Sequence, residues 1–418
     1  YNCVRNAFLR AGFLRDDDSV SAWNGMWAKH LSEKDYGNLN PYQKTNHFPG
    51  TWCIGRKDRL SRGLYRMKRD FGEHYNFSTV RALFVFGRRG GPRQKCGLTP
   101  PCVQSIWILK PPASSCGRGI RLISRAADSA MPKASRKLIA QKYVKHPFLI
   151  DGYKFDLRIY VLVTCFDPLR VYLFHQGLVR FCTVKYSLSS KNLKQRYAHL
   201  TNYSVNKKNA DFDRNTDATA DDTGSKWSLQ ALLRWFDSHG IDSKAVMASI
   251  SDVVIKTLIS CEGEVASNCT RLFRNRWADL SAGCPCYEVL GFDILLDKHL
   301  KAWLLEVNVS PSLSSSSPMD KVIKNTLMTD AFHLVGFPAN SHPASLFQGR
   351  SSGYSSHRNL KFLGSLTPSD LTLTELSVLC ELEDEEARCG HFTRIFPTLE
   401  TRYYGQFFES PRLNNLLL

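Results

Sequence analysis

Residues 287–308 read YEVLGFDILLDKHLKAWLLEVN, and this stretch carries the strongest local signal in the chain. Apolar residues dominate 287–296 and 302–307, which predicts two β-strands. The polar segment 297–301 joins them. If the two strands form a hairpin, the polar residues near their ends lie side by side.

Three polar side chains interrupt this apolar pattern. Side chains two positions apart on a strand share a face, so Glu306 and Asn308 point the same way, and Asp293 can join them from the neighbouring strand. Two carboxylates and an amide oxygen suit Mg²⁺. Ionised carboxylates among apolar neighbours are also costly unless a cation compensates them. The plainer alternative, a strand with satisfied acidic residues at its ends, stays open here.

Strands and helices elsewhere predict an α/β (α+β) fold. Further strands are predicted at 105–109, 155–164, 171–174 and 178–182. Asp167-Pro168 and Gln176-Gly177 are typical of turns between the last three. Helical spacing of apolar residues predicts helices at 227–236, 243–261 and 368–388. The last of these carries an acidic cluster that is interpreted as a solvated face, namely Glu381, Glu383, Asp384, Glu385 and Glu386.

A lysine at a strand end and a loop of small residues suggest a phosphate site. Lys110 ends a short apolar strand, and ASSCGRGI (113–120) follows, with Gly117 and Gly119 letting backbone N–H groups approach phosphate oxygens. The pattern is not a P-loop, and a plain glycine turn is the alternative. Lys142, between Gln141 and Tyr143, lies in a segment that could flank an adenine, or is an ordinary exposed lysine.

Charged residues inside the apolar strand 155–164 need partners. A buried Arg158 requires an anion, which is either a substrate carboxylate or phosphate, or a protein carboxylate such as Asp156. Arg180 follows in GLVR (177–180). The polar segment HLTNYSVNKK (199–208) could close over a nucleotide or form a surface turn.

Charge restricts the class of partner. The 418 residues include 56 Lys and Arg against 38 Asp and Glu, a formal net charge of +18. Such an excess attracts polyanions, so nucleic acid, an anionic membrane and an acidic protein are candidates. No helix-turn-helix, zinc-finger or RNA-binding signature is evident, so nucleic acid is not expected. Apolar runs such as 159–166 are too short to cross a bilayer, and no membrane partner is expected.

The cysteines and the first residue bound the cellular context. The 13 cysteines are irregularly spaced with no C-x-x-C pair, which favours a reducing compartment over disulfides or zinc. Cys165, Cys182 and Cys261 stand among apolar residues and are predicted to be core residues. Since the chain begins at Tyr1 rather than Met, we expect it to be part of a longer protein.

Taken together, the motifs resemble the tubulin–tyrosine-ligase-like family over roughly residues 1–340. The matching segments are NHFP (46–49), KDRL (57–60), LKPP (109–112), KFDLRIYV (154–161), GLVRF (177–181), HLTNYS (199–204), FD (292–293) and LEVN (305–308). The tail, with RIFP (394–397) and RYY (402–404), looks similar to the branch of glutamate ligases that start side chains. That branch favours β-tubulin and also modifies nucleosome assembly proteins.

The resemblance implies an ATP-grasp fold that uses ATP and Mg²⁺. Composition and patterning along the chain suggest four zones, which would be an N-terminal lobe (1–75), a central lobe (76–145), a C-terminal catalytic lobe (146–338), and a linker with a mostly helical tail (339–418). By resemblance, the nucleotide contacts Lys110, Gly117, Gly119, Gln141, Lys142, Tyr143, Asn202 and Asp293, and the metal binds Asp293, Glu306 and Asn308. The incoming amino acid or acyl-phosphate would contact Arg158 and Arg180, with Thr201 and Lys207 nearby.

The function implied is ATP-dependent addition of free glutamate to glutamate side chains in acidic tails, with tubulin as the expected acceptor. The expected setting is cytoplasmic, on microtubules and at the basal body of the cilium, and the expected state is a monomer. A glycine ligase of the same family is the nearest rival, and Lys185 is a candidate cation for the second carboxylate of glutamate. A non-catalytic microtubule-binding protein is the other alternative, because the segments 83–101 and 262–286 are irregular. The small loop 115–119 also departs from the family pattern.

Overall fold

The computed structural model describes residues 1–16, 23–85, 106–111, 119–123, 137–189, 193, 195–217, 219–273, 283–337, 370–412 and 415. The helices are α1 (Asn2–Arg10), α2 (Glu33–Gly37), α3 (Trp52–Gly55), α4 (Lys57–Phe71), α5 (Arg196–His199), α6 (Tyr203–Asn206), α7 (Leu229–Ser238), α8 (Ser243–Leu272), α9 (Pro318–Val335), α10 (Leu373–Ala387) and α11 (Thr401–Tyr404). Short 3₁₀ turns follow α4 and α11 at Gly72–Tyr75 and Gly405–Phe407.

The strands form a small pair and two larger sheets. They are β1 (Gly25–Met26), β2 (Lys44–Thr45), β3 (Val80–Val85), β4 (Trp107–Lys110), β5 (Arg121–Ile123), β6 (Lys137–Lys142), β7 (Leu149–Ile150), β8 (Tyr153–Phe166), β9 (Leu169–Phe181), β10 (Lys226–Ser228), β11 (Glu288–Leu296), β12 (Ala302–Asn308) and β13 (Phe392–Phe396). The small sheet has the order β3-β6-β4-β5, and the large sheet has the order β10-β9-β8-β11-β12. The predicted α/β fold class is confirmed, as are strands at 287–296 and 302–307.

The large sheet is buried on both faces. Alternate side chains of β8, such as Leu157 and Ile159, pack into one core with α4, α7 and α8. The residues between them, such as Tyr160 and Leu162, pack into a second core with α1 and α9. Each fully buried aliphatic side chain of this kind stabilises the fold by about 1.5–3 kcal/mol. Burial on both faces explains why the middle of β8, residues 159–163, is apolar at every position.

The predicted turn at Gln176-Gly177 is wrong, whereas the turn at Asp167-Pro168 is confirmed. Strand β9 runs without interruption from Leu169 to Phe181. Gly177 pairs with Ile159, and a Cβ at this position would lie 2.7 Å from the carbonyl oxygen of Arg158. The register of β8 and β9 shifts next to this pair, so the glycine marks a bulge with close strand contact rather than a turn.

All three predicted helices have different ends in the structure, and the one predicted at 368–388 spans Leu373–Ala387. The helix predicted at 243–261 continues to Leu272, because Val265, Ala266 and Cys269 prolong its buried stripe. The helix predicted at 227–236 begins at Leu229, where the Ser228 hydroxyl accepts a hydrogen bond from the Ala231 N–H at 2.9 Å. Of the segments that depart from the family pattern, residues 86–101, 115–118 and 274–282 lie outside the described residues.

The tail is not only helical, and its acidic cluster is a solvated face only in part, since Glu383, Asp384 and Glu386 are exposed whereas Glu381 and Glu385 turn inward. Strand β13 pairs antiparallel with β9 and so extends the large sheet. In α10, the Glu381 carboxylate accepts a hydrogen bond at 2.7 Å from Arg170, whose side chain is 1% exposed. Glu385 is also buried and accepts from the hydroxyls of Tyr172 and Thr164. A buried arginine needs carboxylates, which explains why two of the five acids turn inward.

The cysteines and helices of the described ranges bear on two further expectations. Cys165, Cys182 and Cys261 are buried, which confirms that they are core residues. Every cysteine in these ranges is a free thiol. None of the described helices combines the length and the apolar character needed to cross a membrane. The division into four zones stays a prediction.

The Glu385 carboxylate also lies 3.5 Å from Nε of the buried Arg170. Glu385→Ala should therefore destabilise the protein by about 3 kcal/mol, because it leaves the Arg170 charge poorly compensated and removes two hydrogen bonds. The measurement is the free energy of unfolding from urea titration. Glu383→Ala is the matched control, since Glu383 is an exposed acid on the same helix and should change stability by less than about 0.5 kcal/mol. Equal effects of both substitutions would contradict the inward orientation of Glu385.

Candidate active site

The hairpin β11–β12 brings the predicted metal ligands together. Asp293 pairs across the strands with Glu306, and Gly291 pairs with Asn308. The Asn308 amide nitrogen donates to the Gly291 carbonyl at 3.1 Å, so the amide oxygen is the atom offered to a ligand. Glu306 contacts the Lys57 ammonium at 2.9 Å. Two carboxylates and an amide oxygen on neighbouring strands fit Mg²⁺, which prefers such oxygen ligands.

Two arginines meet the same carboxylate from the neighbouring strands. Arg158 of β8 pairs across the sheet with Asp293, and its Nε and Nη2 donate to the two carboxylate oxygens at 2.5 and 3.1 Å. Arg180 of β9 donates to both oxygens of Asp156 at 2.7 and 2.6 Å, and its Nη2 lies 3.0 Å from Asp293. Of the alternatives for Arg158, its partner in the structure is a protein carboxylate, Asp293 rather than Asp156.

Burial and charge compete at Asp293. Burial alone would raise the pKa of this carboxyl, but the positive charges and hydrogen bonds of Arg158 and Arg180 outweigh it. The pKa of Asp293 is therefore held well below its ordinary value, and the side chain is an anion at neutral pH. An anionic carboxylate is the form that binds a metal ion.

A narrow cleft lies between the small sheet and the large sheet. Its wall includes the predicted nucleotide residues Lys110, Gln141, Lys142, Tyr143, Asn202 and Asp293, together with the predicted substrate residue Thr201. Strands β4 and β6 are neighbours, which brings Lys110 near the 141–143 segment. Burial lowers the pKa of Lys110, and the negative charge of Glu306 opposes this shift. Cationic and polar groups thus converge where a phosphorylated ligand would fit.

The predicted glycine loop is only partly described. Gly117 lies outside the described residues. Gly119 has a φ of 72°, and a Cβ there would lie 2.9 Å from the Pro111 side chain, so both backbone conformation and space favour glycine. Its neighbour Ile120 belongs to the wall of the cleft.

Lys154 and Asp156 are cleft residues that the sequence analysis did not assign. Lys154 is buried and donates to the Tyr143 hydroxyl at 3.2 Å and to the His199 carbonyl at 2.9 Å. Asp156 also accepts a hydrogen bond from the Thr201 hydroxyl at 2.6 Å. The signal was available, because charged residues at 154, 156 and 158 alternate along an apolar strand and so share one face.

A larger basic cavity of about 1150 Å³ adjoins the cleft. Glu306 and Asn202 belong to the walls of both. Two acidic residues line the cavity, Glu306 and Asp320. The basic residues in its wall are Arg56, Lys57, Arg59, Arg158, Arg180, Arg214, Lys226 and Lys324. This excess of positive charge makes the cavity suited to a ligand with several negative charges.

Two lysines of the basic cavity are fixed by one buried acid. The Lys226 ammonium lies 2.8 Å from the Asp320 carboxylate, and Lys324 lies 3.8 Å from the same oxygen. Burial lowers the pKa of Lys324 to about 8, although Asp320 opposes this. These two lysines stand far apart in the sequence, and no local pattern marks them as neighbours.

Two predicted substrate residues are not brought into these walls. Lys185 is exposed and lies over the Tyr153 ring at 5.9 Å, outside the cleft and the cavity as the described residues define them. Lys207 is exposed and lies over the Tyr203 ring at 5.4 Å, again outside both walls. Their assignment to the substrate stays a prediction.

His30, His47 and Glu288 form a second cluster of potential metal ligands. The two imidazole rings are stacked, with centroids 4.0 Å apart and planes 10° from parallel. A bound metal lies in the plane of each imidazole, along the nitrogen lone pair, and stacked rings do not share such a point. Instead, His47 Nδ1 is hydrogen-bonded to the buried Glu288 at 2.7 Å. We interpret the cluster as a hydrogen-bonded anchor that joins residues 30–51 to β11.

Comparison with known proteins assigns a family to this arrangement. Residues 32–345 match the model of the Tubulin-tyrosine ligase family. The whole chain is 41% identical to mouse "Tubulin monoglutamylase TTLL4" and covers 36% of that protein. Over 99% of its length it is 35% identical to mouse "Tubulin polyglutamylase TTLL5", of which it covers 33%. It is 34% identical over the same share to "Tubulin polyglutamylase ttll-4" of Caenorhabditis elegans, covering 69% of it.

Lys154→Met should change how stability depends on pH. Burial lowers the pKa of Lys154 from its ordinary 10.5 to about 8. Between pH 8 and pH 10.5 the unfolded chain keeps the proton on Lys154 and the folded chain does not. The cost of burying Lys154 therefore falls as pH rises, and the free energy of unfolding increases. The free energy of unfolding of the wild type, measured by urea titration, should therefore increase relative to that of the variant from pH 7 to pH 10. Parallel pH profiles would contradict this.

Proposed function

The chain belongs to the tubulin-tyrosine ligase family, and from this premise we propose that it is an ATP- and Mg²⁺-dependent ligase that attaches glutamate to tubulin. Free glutamate would be joined through its amino group to the γ-carboxylate of glutamate residues in acidic tails. The family and its ATP-grasp fold, both expected from the sequence, are confirmed. The observation that carries the proposal is the meeting of a phosphate-compatible cleft with a basic cavity at Glu306.

The relatives favour glutamate over other amino acids. Those compared above are named tubulin monoglutamylase or tubulin polyglutamylase. The chain spans about a third of the length of the first two, so the activity, substrates and partners of a whole protein are proposals here. Identity over essentially the full chain includes the tail, which supports the glutamate-ligase branch.

The cleft would hold ATP, whose use the family implies. Lys110, Lys142, Gln141 and Tyr143, with the glycines at 117 and 119 and Asn202, would contact the nucleotide. Asp293, Glu306 and Asn308 would hold Mg²⁺, which neutralises phosphate charge when bound. Lys154 and Asp156 join this set because they belong to the same wall.

The proposed reaction has two steps. The acceptor carboxylate takes the γ-phosphoryl group of ATP, which releases ADP, and Lys110 offsets the negative charge that develops. The amino group of free glutamate then attacks the acyl carbon and displaces phosphate, with loss of its proton, to form the isopeptide bond. Arg158 and Arg180 would orient the carboxylate of the incoming amino acid or the acyl-phosphate, as positioning contributes much of such catalysis.

Selection of glutamate requires a cation for its second carboxylate. We assign this role to Lys226 and Lys324, because both belong to the wall of the basic cavity that contains Arg158 and Arg180. Lys185, the residue suggested by the sequence, is less suited because it is exposed outside that wall. A glycine ligase would not need this additional charge.

The acceptor is proposed to be the acidic tail of tubulin. The net charge of +18 and the basic cavity both favour a polyanionic peptide. An enzyme acting on tubulin would be associated with the cytoskeleton. Nucleosome assembly proteins as further acceptors, a position at the basal body, the cytoplasmic setting, Lys207 as a substrate contact and a monomeric state remain predictions from the resemblance.

The direct test supplies purified protein with Mg·ATP, tubulin and labelled glutamate, glycine or tyrosine in separate reactions. We expect glutamate alone to be incorporated, and only into tubulin that retains its acidic tails. Glu306→Gln should lower the rate at least a hundredfold, since a metal ion contributes several kcal/mol to such reactions. Glycine incorporation would favour the rival ligase. Tubulin binding without any incorporation would favour a non-catalytic binding protein.

Lys226→Met should raise the KM for glutamate by about 10- to 100-fold, because a hydrogen bond to a charged group is worth about 1.5–3 kcal/mol. The KM comes from glutamate titrations at saturating ATP and tubulin. Lys185→Met is the matched control and should leave this KM near that of the wild type. If both variants behaved alike, or Lys185→Met alone raised the KM, the assignment of Lys226 would be wrong. Thermal unfolding would check that the Lys226→Met variant is still folded after the buried Asp320 loses one of its two lysine partners.

A further inference from the structure

Asp293 is shared by two arginines that differ in how firmly they are held. Arg180 has its own bidentate partner, Asp156, at 2.7 and 2.6 Å. Arg158 has no second carboxylate of this kind, and among the described residues its ion pairs are with Asp293 alone. Losing Asp293 would therefore leave Arg180 paired but Arg158 unpaired.

The four groups balance one another in a nearly dry setting. Two carboxylates face two guanidinium groups, and the exposed fractions of the side chains are 3% for Asp156 and Asp293, 11% for Arg180 and 12% for Arg158. Charges this deeply buried are poorly screened, so removing one negative charge strongly favours binding of another anion beside the arginines. Because Arg158 and Arg180 both line the basic cavity, an anion bound in that cavity can pair with them.

Metal binding and the present arginine contacts use the same carboxylate. Both oxygens of Asp293 accept hydrogen bonds from Arg158, and one also accepts from Arg180. A divalent cation at these oxygens would bring two positive charges close to the buried guanidinium groups. Arg180 keeps Asp156 and the metal gains Glu306, but Arg158 relies on the two Asp293 oxygens alone. A metal ion that takes one of these oxygens competes directly with Arg158, so the hydrogen bonds from Arg158 must weaken as the metal binds.

We propose that Asp293 has a second role beside metal binding, as a gate that withholds Arg158 from the substrate until Mg²⁺ takes the carboxylate. This inference rests on the proposed function, in which Arg158 meets an oxyanion of the substrate. The metal–nucleotide complex and the amino acid then bind with positive coupling. By linkage, glutamate must strengthen binding of the metal–nucleotide complex by the same factor.

The oxyanion that Arg158 receives is a carboxylate of the amino acid or a phosphate group, and the two sources can be told apart. Binding of glutamate and of inorganic phosphate is measured by calorimetry in separate titrations, each with and without Mg²⁺ and a non-hydrolysable ATP analogue. For a carboxylate, glutamate affinity rises about tenfold with the complex present, within the usual range of such couplings, and phosphate affinity does not. For phosphate the reverse holds, and either result supports the gate.

Two variants separate the gate from simple loss of a metal ligand. Asp293→Asn keeps the shape of the side chain but removes its charge, so without any metal it should bind the same anion about tenfold more tightly than the wild type. Glu306→Gln is the matched control. It removes the other metal carboxylate, whose partner is Lys57 in a more exposed pair, and should give no such gain. Adding Arg158→Gln to Asp293→Asn should abolish the gain.

Several outcomes would overturn the gate. One is equal affinity of the wild type for glutamate and for phosphate with and without the metal–nucleotide complex. Another is weaker binding by a folded Asp293→Asn variant, and a third is the same gain in Glu306→Gln. In those cases labelled glutamate would still be incorporated if the proposed function is right. Absence of glutamate binding in every titration, together with no incorporation, would reject the proposed function as well as the gate.

Discussion

Four buried charges meet near the middle of the large sheet, where the surrounding side chains are apolar. Arg158 and Arg180 face Asp156 and Asp293 across three neighbouring strands. Transfer of such charges from water is costly, and only close, well-oriented partners offset the cost. The register of β8, β9 and β11 must therefore be kept to the residue, since a slip of one position would turn each charge to the opposite face.

This constraint links the fold to the site. Each strand that contributes a charge also contributes residues to the wall of the cleft or of the basic cavity. The ion pairs therefore fix the positions of the cleft and the cavity together. The helices α4, α7 and α8 on one face and α1 and α9 on the other hold the sheet in place by apolar packing. Polar groups set the geometry, and hydrophobic burial supplies most of the stability.

Local patterns in the sequence were sufficient for part of this arrangement. Asp293, Glu306 and Asn308 could be placed together because a hairpin is a local structure and side chains alternate along it. The partner of Arg158 could not be identified, because it depends on the pairing of β8 with β11, and these two strands are separated by more than a hundred residues.

The bulge at Gly177 was mistaken for a turn, since both features use glycine. Lys226 and Lys324, the proposed contacts of glutamate, were not singled out because each is unremarkable in its own segment. The inward orientation of Glu385 depends on Arg170, which is distant in the chain.

Strand β13 has a consequence for how the region of the family match can be handled as an isolated piece. It pairs with residues 171–174 of β9, while β10 pairs with 178–180 of the same strand, so the two lie end to end along one border of the sheet. Cutting the chain at the limit of the family match, residue 345, would strip this cover and expose the backbone of an apolar segment, VYLF. An uncovered apolar strand is a template for pairing with another chain. Such a fragment would be prone to self-association, and the tail through 412 belongs to the smallest unit that should remain monodisperse.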